Sequence, residues 1–415
     1  MGNYNTEVKR KMLTRVGVPV ESVAEPSAPD PQPVTLICFS HLRWNFVFQR
    51  PQHLMSRFAR QMTVVFWEEP VDIGARQTAY LQVRQAENAP NVRIVVPHIP
   101  EGMPEDAREA TLKRLLDAHV ASVPGQLIAW YYTPMMLPFS RHIEANLTVY
   151  DAMDELSKFR FAPPKLLELE QELLSRADVV FTGGSSLYEA KKDRHPNVHC
   201  FPSSVDRAHF AKARARQFDP ADQEDLPRPR LGFYGVLDER FDTELLAKVA
   251  EMRPNWSFVM VGPIVKIAPE DLPKRPNIHY LGAKTYDELP AYLSGWDVAL
   301  MPFAMNESTQ FISPTKTPEY LAGGKPVVST PIRDVVRTYG DLEGVRIAAD
   351  PESFARECEI ALELSANPYE WLSEADLMLS ATSWDTTQAR MAGLVAELLG
   401  TRTAAQTSAL LVAAE

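Results

Sequence analysis

SPTKTPEYLAGGKPVVSTP, residues Ser313 to Pro331, packs a loop, a helix start, a helix end and a strand into one short unit. Pro318 suits the first turn of a helix, where its missing N–H is no loss; the Gly323–Gly324 pair ends the helix, and Pro326 opens a buried strand. Such a unit presents a helix N-terminus to the space beyond the preceding loop. Ser313, Thr315 and Thr317 bring hydroxyls there and Lys316 an ammonium. Together with backbone N–H groups and the helix dipole they could hold a diphosphate without a metal ion. Glu319, one turn in, could accept hydrogen bonds from ribose hydroxyls. The competing reading is a capped helix carrying a Lys–Glu salt bridge.

Outward from this unit the chain alternates apolar strands with helical stretches, the pattern of parallel β/α units. VTLICFS opens the series after a lead-in, residues 1–33, whose PSAPDPQP cannot pack. A helix from about Pro51 to Arg60 follows, then strands at TVVFWEE, VRIVV, QLIAWYY, LTVYDA, DVVFTGG and VHCFPS. A polar, proline-bearing stretch at 218–230 interrupts the pattern, which restarts with RLGFYG, SFVMVG, IHYLG, DVALMPF and KPVVST. The expected organisation is an α/β chain of two Rossmann-like domains, 34–217 and 231–383, facing each other across a cleft. A closing helix at 384–400 and a flexible tail at 401–415 complete it. Ligands of open parallel sheets sit beyond the carboxyl ends of the strands, so the chemistry is expected in those loops.

Bulk composition agrees. A chain of 415 residues exceeds one ordinary core, and 45% hydrophobic with 23% charged residues is a globular balance. The longest apolar run, Phe258 to Val265, is too short to cross a bilayer, and the opening MGNYNTEVKRKML has no signal-peptide segment. The three scattered cysteines, Cys38, Cys200 and Cys358, form neither a disulfide framework nor a metal spacing, which suits a cytoplasmic location. Gly2 and Thr6 match a myristoylation pattern that nothing else supports. A net charge of −11 argues against a nucleic-acid partner. One basic stretch stands out: Arg43, Arg50, Arg57 and Arg60 lie among Trp44, Phe46 and Phe48 with no acid between them, either as a helix face with core aromatics or as an anion-facing pocket.

Three loops carry candidate chemistry. Gly235, at the end of RLGFYG, would let backbone approach a phosphate, and Arg240 would add a second cation unless it is spent on a salt bridge with its neighbours. Asp151 and Asp154 follow the LTVYDA strand and face the cleft as candidate bases for an acceptor hydroxyl, Asp151 being favoured because Asp154 could instead cap a helix near Glu155. His41 would position the acceptor. Arg43 and Arg50 could hold an acceptor phosphate or uronate, with Trp44 and Phe48 stacking a sugar or lipid portion, which would suit an acceptor at the inner membrane face.

PEYLAGGKPVVST resembles the nucleotide-binding signature of the "group 1" glycosyltransferases of GT-B fold. RLGFYGVLDERFD, IHYLGAKTYDELPAYLSGWDVALMPF and HPNVHCFPSSVDRAHF are similar to that family's donor-domain opening, base-binding region and hinge. SHLRWNFVFQRPQHL and VYDAMDEL look most like bacterial teichuronic-acid or surface-polysaccharide enzymes. The resemblance implies a nucleotide diphosphate sugar donor, uridine-linked, a glycan or lipid-linked acceptor, and no metal or other cofactor. It places Glu319 on the ribose and lets Tyr280 and Gly282 border the nucleobase. One departure stands out: the family's second glutamate falls at Phe311 here, and Glu307 is out of register. A nucleotide-sugar epimerase on the same fold and a non-catalytic sugar-nucleotide binder are the alternatives. A dehydrogenase is disfavoured because FSHLRW replaces any Gly-x-Gly-x-x-Gly turn.

Overall fold

The computed structural model describes residues 33–215 and 218–413, with side chains to residue 401. The lead-in with its Gly2/Thr6 pattern lies outside the described residues.

Two sheets organise the chain. The first contains β1 (Val34–Ser40), β2 (Thr63–Glu68), β3 (Val71–Ile73), β4 (Tyr80–Ala86), β5 (Ala89–Pro100), β6 (Gln126–Tyr131), β7 (Leu147–Ala152), β8 (Val179–Thr182) and β9 (Val198–Cys200). Its order is β3-β5-β2-β1-β6-β7-β8-β9, parallel throughout except that β4 pairs antiparallel with β5. The second is wholly parallel: β10 (Arg230–Tyr234), β11 (Ser257–Val261), β12 (Ile278–Gly282), β13 (Val298–Met301), β14 (Val327–Ser329) and β15 (Val345–Ile347), in the order β12-β11-β10-β13-β14-β15. β3, β4 and β15 go beyond the strands expected from the sequence. β4 is mostly exposed, with Leu81 and Arg84 half-buried and Ala86 buried, so it has neither a continuous apolar run nor a strict alternation to betray it.

Near-continuous burial of the central strands follows from helices covering both sheet faces. In β1, Leu36 and Cys38 enter one core with Phe66, Ile128 and Trp130, whereas Ile37 and Phe39 enter the other with Val65, Trp67 and Tyr131. Strand order reverses beside β1, between β2 and β6, and beside β10, between β11 and β13. The loops after β1 and β10 therefore leave from topological switch points, the places where open sheets leave a crevice.

The closing helix runs Trp384–Ala413, past Gly400, so residues 401–413 are helical rather than the loose tail expected. It does not pack as an appendage of the second domain. Trp384, Met391, Val395 and Leu399 complete the N-terminal core with Leu54, Met55 and Phe58. Trp384 stacks on His53 at 4.7 Å, and Asp385 receives Arg57 at 3.0 Å and Arg60 at 2.7 Å. Those two arginines of the basic stretch thus clasp the returning helix. The 218–230 segment is similarly packed: buried Gln223 accepts the Trp296 indole N–H at 2.8 Å. Among the described residues no helix is long and apolar enough to cross a membrane.

Candidate active site

The loop after β10, the Ser313–Lys316 loop and the loop after β1 meet around a crevice of three connected cavities. Gln49, Val236 and Arg240 line all three. One of about 140 Å³ adds Tyr234, Gly235, Thr315, Lys316, Glu319 and Tyr286; a small inner one of about 80 Å³ adds Arg50, Asp154, Ser203 and Ser313; an outer one of about 380 Å³ adds His41, Asp154, Asp238 and Lys266. Two larger cavities, of about 600 and 480 Å³, include neither Lys316 nor Glu319 in their walls, so size does not select the reactive centre here.

Lys316 begins the helix Lys316–Ala322, and its ammonium lies over the rings of Phe233 and Phe303 at 5.7 and 5.8 Å. Desolvation lowers its pKa to about 8, against the pull of Glu319, leaving it charged at neutral pH. Gly235 makes room for it: its φ is +142°, and a Cβ there would stand 2.2 Å from Lys316 Cε. The glycine thus admits the lysine side chain, and it also lines the donor-side cavity. Burial raises the Glu319 carboxyl to about 7, and the Tyr234 hydroxyl donates to its Oε2 at 3.0 Å. The Tyr234 N–H in turn donates to Tyr320 Oη at 3.0 Å, so the end of β10 and the helix are laced together. Arg240 does form the salt bridge with its neighbour, through Nη2 to Asp238 Oδ2 at 2.6 Å, yet it still lines the crevice. The pair is partly withdrawn from solvent: Asp238 is buried.

The two aspartates separate. Asp151 lies inside β7, fully buried, its carboxylate gripped by Arg50 Nε at 3.0 and 3.2 Å and Nη2 at 2.9 Å. Arg50 also donates to the Phe201 carbonyl at 2.7 Å. Asp151, favoured as the base from sequence, has no face on the crevice, and Arg50 reaches only the inner cavity with its guanidinium already engaged. Asp154, just past the strand, lines both the inner and outer cavities. Burial raises its pKa to about 6 while Arg240 draws it back. It caps no helix: the short turn Leu156–Lys158 starts from Glu155 without a side-chain cap.

The remaining expectations divide. His41 lines the outer cavity, and burial lowers its pKa to about 4, keeping the ring neutral. Ser313 and Thr315 line the crevice, whereas Thr317 is wholly buried and does not. Arg43 turns to Glu68 and the Glu69 carbonyl, and Trp44 is a core residue edge-on to Phe66 at 5.0 Å; neither lines the crevice. Tyr280 donates to the Pro273 carbonyl at 3.0 Å; it and Gly282 stay off the crevice wall, which Ala283 and Lys284 line instead. Phe48 lines the donor-side cavity but faces Tyr286 at 4.8 Å. Phe311 packs against the N-terminal core, and Glu307 pairs with Lys158 at 3.2 Å across the crevice. Sequence reasoning missed Gln49, Tyr234, Asp238 and Lys266. The loop rule that led to Arg240 applies equally to Lys266, which follows β11; Gln49 carries no local signal.

Residues 228–363 match the family model described as "Glycosyl transferases group 1". Over 219 residues the chain is 26% identical to a protein named as a teichuronic acid biosynthesis glycosyltransferase, TuaH of Bacillus subtilis (strain 168), covering 48% of this chain and 54% of that one. The chain thus spans about half the length of this relative. Similar solved structures include the sucrose-phosphate synthase of Thermosynechococcus elongatus (TM-score 0.64, 16% identity, 89% of this chain and 100% of that one). Anabaena HepE in complex with UDP also matches (TM-score 0.61, 12% identity, 88% and 100%). So does an E. coli structure titled as trehalose-6-phosphate bound with UDP-2-fluoro glucose (TM-score 0.62, 13% identity, 88% and 99%). The chain is a two-domain protein of GT-B fold whose residues 228–363 match the group 1 glycosyltransferase family model.

Proposed function

We propose that the protein transfers a sugar from a uridine diphosphate sugar to a hydroxyl of a glycan or lipid-linked acceptor, in surface polysaccharide synthesis. The observation that carries this reading is the gathering of Lys316, Arg240 and Glu319 on one interdomain crevice, with an ionisable carboxylate, Asp154, on its far wall. Lys316 and Arg240 hold the diphosphate, and Glu319, steadied by Tyr234, accepts from the ribose. Asp154 takes the proton from the attacking hydroxyl: its raised pKa leaves it ionised at neutral pH yet more basic than an exposed carboxylate. Uridine is favoured by the UDP ligands named for two similar structures, and a polysaccharide acceptor by the teichuronic acid relative. Two cations at the diphosphate support transfer without an added metal, and cysteines buried or half-buried as free thiols suit the cytoplasm.

The test is calorimetry of UDP, ADP and GDP, each with EDTA and with magnesium, followed by UDP-sugar turnover with and without acceptors. UDP is expected to bind tightest and equally in both buffers. No nucleotide binding in either buffer would remove the donor site. One observation favours a second reading, a non-catalytic sugar-nucleotide binder: Phe311, where the family resemblance would put a glutamate, packs into the neighbouring core. That reading requires UDP-sugar binding with neither transfer nor hydrolysis. Turnover of donor alone into an isomeric sugar nucleotide would instead mark an epimerase.

A further inference from the structure

The outer cavity has a composition unlike the rest of the crevice. Leu42, Phe46, Met135, Leu156, Phe159 and Phe161 face it from the first domain, and Val236 and Val265 from the second. Two of these aromatics are displayed to solvent, Phe161 at 76% and Phe46 at 47% exposure. Among the described residues, two non-glycine residues have left-handed backbone, Phe161 with φ 66° and Lys266 with φ 64°. Both line this one cavity, one from each domain. Backbone in this region is disfavoured for a bulky side chain, and such outliers gather where a ligand is clamped. The cations near the aromatics lie over ring faces: Lys266 and Arg240 over Phe159 at 4.8 and 5.2 Å, Arg160 over Phe161 at 5.0 Å. Cation–π attraction holds each of them beside an aromatic wall of the cavity.

The cavity is continuous with the reactive centre, because Asp154, Gln49 and Arg240 also line the inner one. At its other end Glu69 and Met135 are shared with the cavity of about 480 Å³ on the first domain, whose wall includes Met136, Pro138, Phe139 and Leu169. An acceptor with its hydroxyl at Asp154 would therefore extend its aglycone over Leu156, Phe159 and Phe161.

We infer that the acceptor is amphipathic: the group attached to its accepting sugar is an alkyl or aryl chain, bound in this cavity, and a free sugar or a wholly polar glycan is a poor acceptor. The inference rests on the function proposed above for the same crevice. Each methylene taken fully out of water raises affinity about fourfold.

The test is ligand-observed NMR of methyl, hexyl and phenyl β-glucosides against the full chain, with UDP titrated separately. Hexyl and phenyl glucosides are expected to bind at least about tenfold tighter than methyl. Phe161→Asn, at an exposed position whose left-handed backbone asparagine tolerates, should remove most of that gap while leaving the UDP affinity unchanged. Leu156→Asn should act in the same direction. Equal binding of methyl and hexyl glucosides, or a gap untouched by both substitutions, overturns the inference. A hexyl preference without UDP binding would keep the apolar site and remove the transferase reading; UDP binding without the preference would do the reverse. Hexyl matching phenyl marks general apolar burial, and phenyl well ahead of hexyl marks an aromatic aglycone.

Discussion

At the scale of single residues, Asp151 near the end of β7 and Asp154 just beyond it show how far chemistry depends on a displacement of three positions. Asp151 and Arg50 form a fully buried pair, and removing one partner of such a pair leaves the other charge stranded at a cost of about 3–5 kcal/mol. Asp151→Asn is therefore expected to lower the melting temperature of the protein markedly. Asp154→Asn should leave melting and UDP affinity nearly unchanged while reducing transfer by about 10²–10⁴-fold. Equal losses of stability in the two variants would contradict the assignment. Lys316 yields a prediction in pH. Its pKa of about 8 lies below the ordinary lysine value because burial among rings disfavours the charge, so it loses its proton, and its hold on a diphosphate, as pH rises through 8. The UDP dissociation constant should rise up to about tenfold per pH unit above 8, and Lys316→Ala should bind weakly and flatten the profile.

At the scale of elements, the β10 loop and the helix Lys316–Ala322 act as one device. Gly235 is the joint, since its left-handed backbone and missing Cβ leave the channel in which the lysine lies. Gly235→Ala would combine backbone strain of about 1–3 kcal/mol with displacement of the ammonium. UDP affinity is expected to fall about ten- to a hundredfold in a protein that still folds, as isothermal titration alongside circular dichroism would show. Retained affinity would mean that Lys316 does not hold the diphosphate. The basic stretch after β1 divides by the same logic: Arg57 and Arg60 serve the closing helix, Arg50 serves Asp151, and Arg43 serves Glu68. A row of arginines in sequence is divided among three carboxylates, Glu68, Asp151 and Asp385, with Arg57 and Arg60 sharing the last.

At the scale of the whole molecule, contacts between the two domains hold the walls of the crevice in place at several points. The Asp334 carboxylate accepts the Ser186 N–H at 3.0 Å, reaching from the second domain to the first turn of the helix Ser185–Lys191. Gly184 is needed there, since a Cβ would fall 2.4 Å from Asp334 Oδ2. The Ser203 hydroxyl donates to the Ser313 carbonyl. Trp384 brings the end of the chain into the N-terminal core, and Trp384→Ala should cost about 3–5 kcal/mol there. Hydrogen exchange is expected to report the loss in β1 and the helix Arg50–Phe58, far in sequence from the substitution. Loss confined to the second domain would contradict this packing.

What the sequence determined alone was whatever is local. Strands with continuous apolar runs, the helix through Pro318 closed by the Gly323–Gly324 pair, with Lys316 and Glu319 at its start, and Arg240 in the loop after β10 all follow from periodicity and turn chemistry over a few residues. The half-exposed β4 was illegible because it lacks that periodicity. Only the tertiary structure decided which carboxylate faces the crevice, that Trp44 is core, and that the final helix belongs to the first domain. Those outcomes rest on partners far apart in the chain, 101 residues for Arg50 and Asp151 and 328 for Arg57 and Asp385. A side chain's exposure and pKa are properties of what packs against it, and no window of neighbouring residues contains that information.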